Sequence, residues 1–347
     1  MTHSAAEARG ATPLPSPAAR PVLEVRGARV EFPTRRGTLV ATDGVSFDIG
    51  PGEILGMVGE SGAGKSLTGM AVIGLLEPPG RLAAGEIHLD GERIDNLPPR
   101  RRQAIRGRRI GAIFQDPLTS LHPLFTVGRQ LVETIRFHLD VSEKEGRERA
   151  LALLKDVGIP AAEERINHYP HQFSGGMRQR VVIALALAAN PSLVIADEPT
   201  TALDVSIQAQ ITALLKRLCR EHGTAVLLVT HDMGVIAETA DRVAVMYAGR
   251  IVEIGPVLDV IRRPRHPYSR GLMASIPGLR ERAERLNQIE GSMPRLTTMP
   301  PGCAFHPRCP EAGPRCHVAR PMLAAVPGEV TSAACWLHQG GVTRAAQ

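Results

Sequence analysis

Short apolar runs with little polar alternation recur along the chain from about Leu23 to Gly255, separated by longer segments of helical periodicity. Runs rich in β-branched residues predict strands at 53–58, 109–114, 193–196, 225–230 and 242–249. Apolar runs without alternation suit strands that are buried on both faces. The pattern therefore predicts an α/β fold, with a mostly parallel sheet core and helices on either side.

Other stretches break this alternation of strands and helices. From about Asp116 to Phe173 there is no clear strand, and the pattern predicts helices. After Pro256, proline, arginine and glycine become frequent, and no long apolar period continues past "SRGLMASI". The Ala-, Pro- and Ser-rich residues 1–21 predict a disordered tail. We place a boundary near residues 256–276.

Composition limits the compartment and the partners. The 347-residue chain is 43% hydrophobic and 22% charged, as in ordinary globular proteins. Its net charge is +6, and acidic residues are interspersed with the basic ones almost everywhere. This pattern favours a solvated surface over a nucleic-acid site. The best apolar run, at 181–189, is about half the length that a bilayer span needs. With no apolar segment of signal-peptide type near the start, we expect a cytosolic chain unless a partner holds it elsewhere.

A glycine-rich stretch, "GESGAGKS" at 59–66, follows the first predicted strand and opens a predicted helix. Glycines let successive backbone N–H groups face one anion, and the start of the helix adds its positive end. Lys65 supplies a charge to the β- and γ-phosphates, and Ser66 would ligate Mg²⁺. In this context the stretch predicts a site for a nucleoside triphosphate.

Polar residues follow three more predicted strands. Asp197 and Glu198 end the strand at 193–196, where one carboxylate can reach Mg²⁺ through water and the other can orient an attacking water. His231 follows the strand at 225–230, and Gln115 follows the strand at 109–114. The carboxyl ends of parallel strands meet at one edge of a sheet, where ligands bind. We therefore expect His231 to hydrogen-bond the γ-phosphate there.

A second anion cradle is predicted at "SGGMRQR", where Ser174 opens a helix that begins with Gly175 and Gly176. This run resembles the signature of ATP-binding-cassette (ABC) ATPases. The resemblance implies a P-loop NTPase cassette with an antiparallel β subdomain, and a helical subdomain at about 116–175. It also implies two cassettes stacked head to tail, so that each ATP lies between the Lys65 loop of one chain and the Ser174 helix of the other.

The resemblance implies individual roles. Glu198 resembles the catalytic base, His231 the switch histidine, and Phe32 the aromatic residue that stacks on adenine. Mg²⁺ would be held by Ser66, Gln115 and Asp197. The ATP-binding residues implied are Phe32, Gly59, Glu60, Ser61, Gly62, Ala63, Gly64, Lys65, Ser66, Leu67, Gln115, Ser174, Gly175, Gly176 and Asp204.

Three further stretches resemble the oligopeptide/dipeptide (and nickel) importer branch: "YPHQ", "HPYSRGLMASIP" and "MPPGCAFHPRC". The branch implies a cassette over 22–262 and a C-terminal extension over 263–347. It implies an ATPase subunit that powers uptake of peptides or related small solutes. Its partners would be a similar but different ATPase chain, two transmembrane permeases and, indirectly, an extracytoplasmic solute-binding protein, without nucleic acid. The expected location is the cytoplasmic face of the inner membrane, as a peripheral protein.

Other classes fit less well. Soluble ABC ATPases of translation or DNA repair usually carry two cassettes or a long coiled-coil insertion, and this chain has one set of motifs. An exporter would need fused transmembrane helices or a separate permease, and the C-terminal sequence argues against it. A generic P-loop kinase would lack "SGGMRQR".

Four of the five cysteines, Cys303, Cys309, Cys316 and Cys335, lie in a Pro- and Gly-rich segment with little apolar content. In a reducing compartment, clustered cysteines indicate a metal before a disulfide. Four thiolates suit zinc or an iron–sulfur cluster, but the spacing lacks the C-x2-C pairs of zinc ribbons and is not a ferredoxin run either. Family resemblance favours [4Fe–4S], with Zn²⁺ as the alternative and a metal-free segment still open. Cys219 is expected to be a packed helix residue. The spare candidate ligands are His306, His317 and His338.

Overall fold

The computed structural model describes residues 20–201, 203–275 and 289–339. The predicted disordered tail at 1–21 therefore lies outside the described residues except for its last two positions. The predicted extension at 263–347 is described in part, because 276–288 and 340–347 are not included.

Among the described residues there are twelve strands, numbered in chain order. They are β1 (Leu23–Thr34), β2 (Gly37–Ile49), β3 (Ile54–Val58), β4 (Arg81–Leu89), β5 (Glu92–Arg93), β6 (Ile110–Ile113), β7 (Leu193–Asp197), β8 (Ala225–Val229), β9 (Arg242–Tyr247), β10 (Arg250–Pro256), β11 (Ala324–Ala325) and β12 (Ser332–Ala333).

The same ranges contain twelve α-helices and three short 3₁₀ helices, the latter at Pro170–Gln172, His306–Arg308 and Trp336–His338. The α-helices are α1 (Lys65–Ile73), α2 (Pro99–Ile105), α3 (Pro117–Ser120), α4 (Val127–His138), α5 (Glu143–Asp156), α6 (Ala162–Arg165), α7 (Gly175–Leu187), α8 (Val205–His222), α9 (Met233–Thr239), α10 (Val257–Arg262), α11 (Pro267–Ala274) and α12 (Pro314–Val318).

The main sheet has eight strands in the order β11-β12-β10-β9-β3-β8-β7-β6. Its centre, from β9 to β6, is parallel, and β10 then pairs antiparallel with β9. The five strands predicted from apolar runs are these five parallel strands. The predicted parallel-sheet α/β fold is therefore confirmed.

A second sheet, β2-β1-β4-β5, is antiparallel throughout. Along β1, buried and more exposed positions roughly alternate, because one face packs on the core and the other faces water. That weak alternation explains why its strands do not stand out as apolar runs in the sequence. This is the antiparallel β part that the family resemblance implied.

Between β6 and β7 the described residues form helices and no strand. Thr126 caps α4 by accepting a hydrogen bond from the Arg129 amide. Ser142 and Glu145 form a reciprocal capping box at the start of α5. Within the described ranges, no helix is both long and apolar enough to cross a membrane.

The core lies on both faces of the parallel sheet. Ile54 and Val58 of β3 pack into one cluster, with side chains of α7, α8 and the helices before β7. Leu55 and Met57, alternating with them, pack into a second cluster with α1 and the antiparallel sheet. Burial on both faces holds the carboxyl ends of the central strands at fixed positions.

The extension is attached to the edge of the main sheet. Ala333 and Ser332 of β12 pair with Glu253 and Ile254 of β10. Fully buried Glu253 accepts the backbone N–H groups of Arg265 and His266, at 2.8 Å each. The extension thus continues the sheet instead of forming a separate layer.

Candidate functional site

The loop at 59–64 connects buried β3 to α1. Gly59 has a φ of 150°, and a β-carbon there would lie 2.2 Å from the Met246 carbonyl oxygen, so only glycine fits. Gly64 precedes α1 with a φ of 103°. The Lys65 ammonium donates to the carbonyl oxygens of Gly59 at 2.8 Å and Glu60 at 3.1 Å. Burial lowers the pKa of Lys65. The sequence thus builds a tight loop with a buried cation beneath it.

Ser66 and Asp197 come together from α1 and the end of β7. The Ser66 hydroxyl donates to Asp197 Oδ1 at 2.9 Å. Burial raises the pKa of Asp197, with the neighbouring Glu198 carboxylate contributing in the same direction. A hydroxyl and a carboxylate are the hard oxygen ligands that Mg²⁺ prefers, so this donor pair fits the ion.

Glu198 is the centre of a cluster of hydrogen bonds. Its Oε1 lies 3.0 Å from His231 Nδ1, and its Oε2 accepts from Gln115 Nε2 at 3.1 Å and from the Thr201 hydroxyl at 2.9 Å. Three of these residues come from the ends of different strands, as predicted. Glu198 has a left-handed φ of 47°, an unfavourable backbone conformation that recurs at functional sites.

The protonation state of Glu198 follows from its neighbours. Partial burial raises the pKa of Glu198, but the hydrogen bonds from His231 and Thr201 outweigh burial, and the net pKa is lowered. Glu198 is therefore ionised at neutral pH, as a residue that accepts a proton from water must be. For His231 to donate a hydrogen bond to Glu198, its Nδ1 must carry the proton.

Residues 174–176 lie at a different place on the surface. Ser174 is exposed and caps α7, accepting from the Met177 amide at 3.3 Å. A β-carbon at Gly176 would meet Ile207 of α8 at 2.8 Å, and one at Gly175 would lie 3.8 Å from Leu203. Across the described ranges, no hydrogen bond joins residues 174–176 to the loop at 59–66. Residues 174–176 therefore lie beside the start of α8. Exposed Asp204 occupies the N-cap position of that helix.

Phe32 lies near the end of β1 and is half-buried. Its ring atoms lie 2.7 and 2.9 Å from where a β-carbon at Gly80 would be, so the ring packs against that glycine. Its expected stacking on adenine stays a prediction.

The four clustered cysteines face one cavity in the extension. Cys303, Cys309, Cys316 and Cys335 all line a space of about 280 Å³, together with Phe305 and Trp336 among others. Yet no group of three or more His, Cys, Asp or Glu side chains within the described ranges is placed so that it could hold a metal ion. The predicted [4Fe–4S] or Zn²⁺ site is therefore not confirmed.

Burial explains the state of these thiols. It raises the pKa of Cys309 and of Cys335 to about 11, and it also raises the pKa of Cys303. At neutral pH these thiols are protonated, and a metal would have to displace their protons. Cys219 is fully buried in α8, as expected. Of the spare ligands, His306 Nδ1 lies 2.9 Å from the Cys303 carbonyl oxygen and near His317, and His338 contacts the Arg265 carbonyl.

The structure adds three residues that the sequence did not single out. The Thr201 hydroxyl donates a hydrogen bond to Glu198. The only indication of this in the sequence is that Thr201 stands three residues after Glu198. Tyr268 and Arg308 contact Glu60 of the phosphate loop from the extension. Both stand in stretches that resemble the importer branch, "HPYSRG" and "HPRC", but no local pattern indicates a partner more than 200 positions away.

Two known families match this chain. The family described as "ABC transporter" matches residues 42–201, and the one described as "Oligopeptide/dipeptide transporter, C-terminal region" matches residues 252–316. The first match covers the phosphate loop and Gln115, Asp197, Glu198 and Thr201, and it ends before His231. The second begins in β10 and includes the HPY stretch and the first three clustered cysteines.

Similar proteins and structures agree with these matches. A putative peptide import ATP-binding protein of Brucella melitensis is 50% identical over 88% of this chain and 94% of its own length. The oligopeptide transport ATP-binding protein OppD of Salmonella typhimurium is 48% identical over 92% of this chain and 95% of its own. The solved dimer of the ATP-binding cassette MJ0796 in a post-hydrolysis state with ADP and Pi is 32% identical, with a TM-score of 0.61, over 68% of this chain and 98% of that one.

Proposed function

This chain belongs to the oligopeptide/dipeptide branch of the ABC transporter ATPases, and on that premise we propose that it binds and hydrolyses ATP to power uptake of peptides or related small solutes. The observation that carries the proposal is the Glu198 cluster beside the Ser66–Asp197 pair. A soluble ATPase of translation or DNA repair is not favoured, because that function does not account for the match to the transporter C-terminal region.

Nucleotide binding falls to the loop at 59–66. Its backbone amides and the start of α1 would bind an anion, and Lys65 supplies a compact positive charge that is already desolvated. Ser66 and Asp197, with the amide oxygen of Gln115, would hold Mg²⁺ against the phosphates. When bound, this ion neutralises charge on the phosphates.

Glu198 is the general base in this proposal. Its ionised carboxylate orients and deprotonates the attacking water, while His231, Gln115 and Thr201 hold the carboxylate in one orientation. His231 is largely exposed, with 63% of its side chain accessible, so it is also free to contact the γ-phosphate. The strained backbone of Glu198 fixes where the carboxylate points.

Residues 174–176 and Asp204 serve the ATP of a second cassette. The support is the exposure of Ser174, Gly175 and Asp204 and the separation of residues 174–176 from this chain's own phosphate loop. The N–H groups at the start of a helix suit an anion. That second cassette is a similar but different ATPase chain. Two transmembrane permeases complete the transporter, fed by an extracytoplasmic solute-binding protein.

The proposed location is the cytoplasmic face of the inner membrane. The chain would be held there by the permeases as a peripheral subunit. The proposed domains are a cassette at 22–262, with a helical subdomain at about 116–175 between the nucleotide site and the permeases, and an extension at 263–347.

A narrower proposal concerns the four cysteines of the extension. The chemistry of four thiols facing one cavity supports a structural [4Fe–4S] cluster, with Zn²⁺ as the alternative, although the thiols as they lie are not set at ligand positions. Anaerobic purification followed by a visible spectrum and metal analysis tests this. A colourless, metal-free protein that is stable and active would refute it.

The function itself is tested by titrating the full-length chain with MgATP and by reconstituting it with its permeases. We expect micromolar to millimolar nucleotide binding that Lys65→Ala abolishes, and ATP hydrolysis that rises when the solute-binding protein is loaded with peptide. Binding that is unaffected by Lys65→Ala would contradict the proposed nucleotide site.

A further inference from the structure

The extension touches the phosphate loop directly, through Glu60. The Glu60 amide donates to the Tyr268 hydroxyl at 2.9 Å. The Glu60 carboxylate accepts two hydrogen bonds from Arg308 Nη1, at 3.0 and 3.1 Å. Both the backbone and the side chain of one loop residue are therefore bonded to residues that lie beyond the last strand of the cassette.

Arg308 is held firmly before it reaches the loop. Its side chain is only 6% exposed. Its Nε donates to the Glu290 carbonyl at 2.8 Å, and its Nη2 donates to the Ile289 carbonyl at 3.2 Å. A guanidinium is a planar fork, so these two bonds fix the direction in which Nη1 points. Arg308 therefore transmits the position of the extension to Glu60.

Tyr268 is fixed by packing. It is fully buried, and its ring lies 4.7 Å from the ring of Tyr247 and 5.5 Å from that of Phe305, centroid to centroid. Burial raises the pKa of Tyr268, so its hydroxyl stays protonated. Because the ring cannot shift without disturbing this aromatic cluster, the hydroxyl offers the Glu60 amide an acceptor at a constant position.

A third contact with the phosphate loop comes from Met293, which packs beside Gly62. A β-carbon at Gly62 would lie 3.1 Å from Met293 Cε. Gly62 has a φ of 82° and is exposed. The extension therefore contacts the loop at two residues, Glu60 and Gly62.

The electrostatics favour this arrangement. Glu60 places a carboxylate beside a loop whose amides must accept an anion, and an unpaired negative charge there would oppose the triphosphate. Arg308 neutralises that carboxylate and draws it toward the extension. The pair is thus more than a surface ion pair, because one partner is almost fully buried.

We propose that Arg308 and Tyr268 are positioning residues that hold the phosphate loop, through Glu60, in the conformation that receives the triphosphate. A loop fixed in advance loses less conformational freedom on binding, which raises affinity. This inference rests on the proposed function, since it assumes that the loop at 59–66 binds ATP. The segment that carries Arg308 also lies between Cys303 and Cys309, two of the thiols that line the cavity of the extension.

The test is the affinity of the full-length chain for MgATP, measured by calorimetry. Arg308→Gln removes the charge and the fork, and we expect the Kd to rise about tenfold. Arg308→Lys keeps the charge without the fork and restores part of the affinity. Tyr268→Phe keeps the ring and removes only the acceptor, with an expected rise of about threefold. In the transporter, KM for ATP rises in these variants more than kcat falls.

A matched control is Arg270→Gln. Arg270 also pairs with a carboxylate of the extension, Glu311, but does not contact the loop. We expect the Kd for MgATP to remain unchanged in this variant. In a Glu60→Gln background, Arg308→Gln should have little further effect, because its partner carboxylate is already gone.

Folding and function are separated by two further readouts. Trp336, the single tryptophan, lies in the extension and reports on its folding by fluorescence. If Arg308→Gln unfolds the extension, the milder Tyr268→Phe decides the question. Wild-type affinity in a folded Tyr268→Phe protein and in a folded Arg308→Gln protein would overturn the inference, while loss of binding in Lys65→Ala leaves the proposed function standing. Retained binding in Lys65→Ala would instead overturn the proposed function.

Discussion

The nucleotide region and the cysteine-bearing extension are built in opposite ways. In the first, Glu198, His231 and Gln115 each follow a buried parallel strand, so the sheet itself delivers them to one edge. In the second, Tyr268 and Arg308 come from a helix and a 3₁₀ turn, and they are fixed by aromatic packing and backbone carbonyls. The regular backbone positions the chemistry in one region, and individual side chains position it in the other.

This difference teaches where the two regions are vulnerable. A change in the nucleotide region removes a chemical group while the strands stay in place. A change in the extension alters the position of a side chain, and it acts on ATP through the contacts with the phosphate loop, chiefly those to Glu60. We therefore expect large effects on turnover from the first region and modest effects on affinity from the second.

The largest effect is expected from Glu198→Gln. The amide keeps the size and hydrogen-bonding reach of the side chain but cannot take a proton, so hydrolysis should fall by about 10³-fold or more. MgATP binding should persist, and the paired cassettes should remain closed on it. Single-turnover hydrolysis and size-exclusion chromatography measure the two properties. Hydrolysis at the wild-type rate would show that the base has been misassigned.

Ser174→Arg should have the next largest effect. The bulky arginine side chain should cover the amides of Gly175 and Gly176, so that they no longer complete the nucleotide site of the partner cassette. ATP hydrolysis by the transporter should therefore fall by about 10²-fold. The affinity of this isolated chain for MgATP should not change. If the isolated chain bound MgATP more weakly, residues 174–176 would act on the nucleotide of their own chain.

Much of the nucleotide region could be predicted from sequence. A glycine loop between a buried strand and a helix has few other interpretations, and strands buried on both faces leave continuous apolar runs that are easy to recognise. The carboxyl edge then follows from parallel topology. The hydrogen bond of Thr201 to Glu198 could not be predicted, because it depends on the left-handed turn at Glu198.

Apart from its family resemblance, the extension was predictable only as a segment rich in Pro, Gly and Cys. In the described part of the extension, β11 and β12 have two residues each, too short to produce a pattern, and β12 pairs with the edge that β10 presents. The predicted thiol cluster does share one cavity, but sequence spacing cannot set ligand distances. Contacts such as Arg308 to Glu60 depend on the whole fold.

A double substitution, Cys303→Ser with Cys309→Ser, tests how closely the two regions are coupled. We expect Trp336 fluorescence to report a loosened extension, and the Kd for MgATP to rise about tenfold, as in Arg308→Gln, without loss of binding. The cassette core should stay folded by circular dichroism. A loosened extension with wild-type affinity would show that the two regions are independent.

The smallest effect on function is expected from His266→Asn, which keeps the acceptor that caps α11. Burial lowers the pKa of His266 to about 3, below its ordinary value of 6.5. The unfolded chain therefore binds an additional proton between these pH values, and stability falls as the pH falls. The substitution should remove up to about 1.4 kcal/mol per pH unit of this slope. Denaturation followed by Trp336 fluorescence at several pH values measures it, and identical slopes would contradict a neutral buried His266.

The central claim is that two separate sets of backbone amides, at 59–66 and 174–176, bind nucleotides across a boundary between two cassettes. The most direct measurement is a structure of the assembled transporter loaded with Mg²⁺ and a non-hydrolysable ATP analogue. We predict that the loop at 59–66 encloses one triphosphate while residues 174–176 face the γ-phosphate held by the partner cassette. Residues 174–176 far from any triphosphate in the closed, loaded assembly would contradict the account.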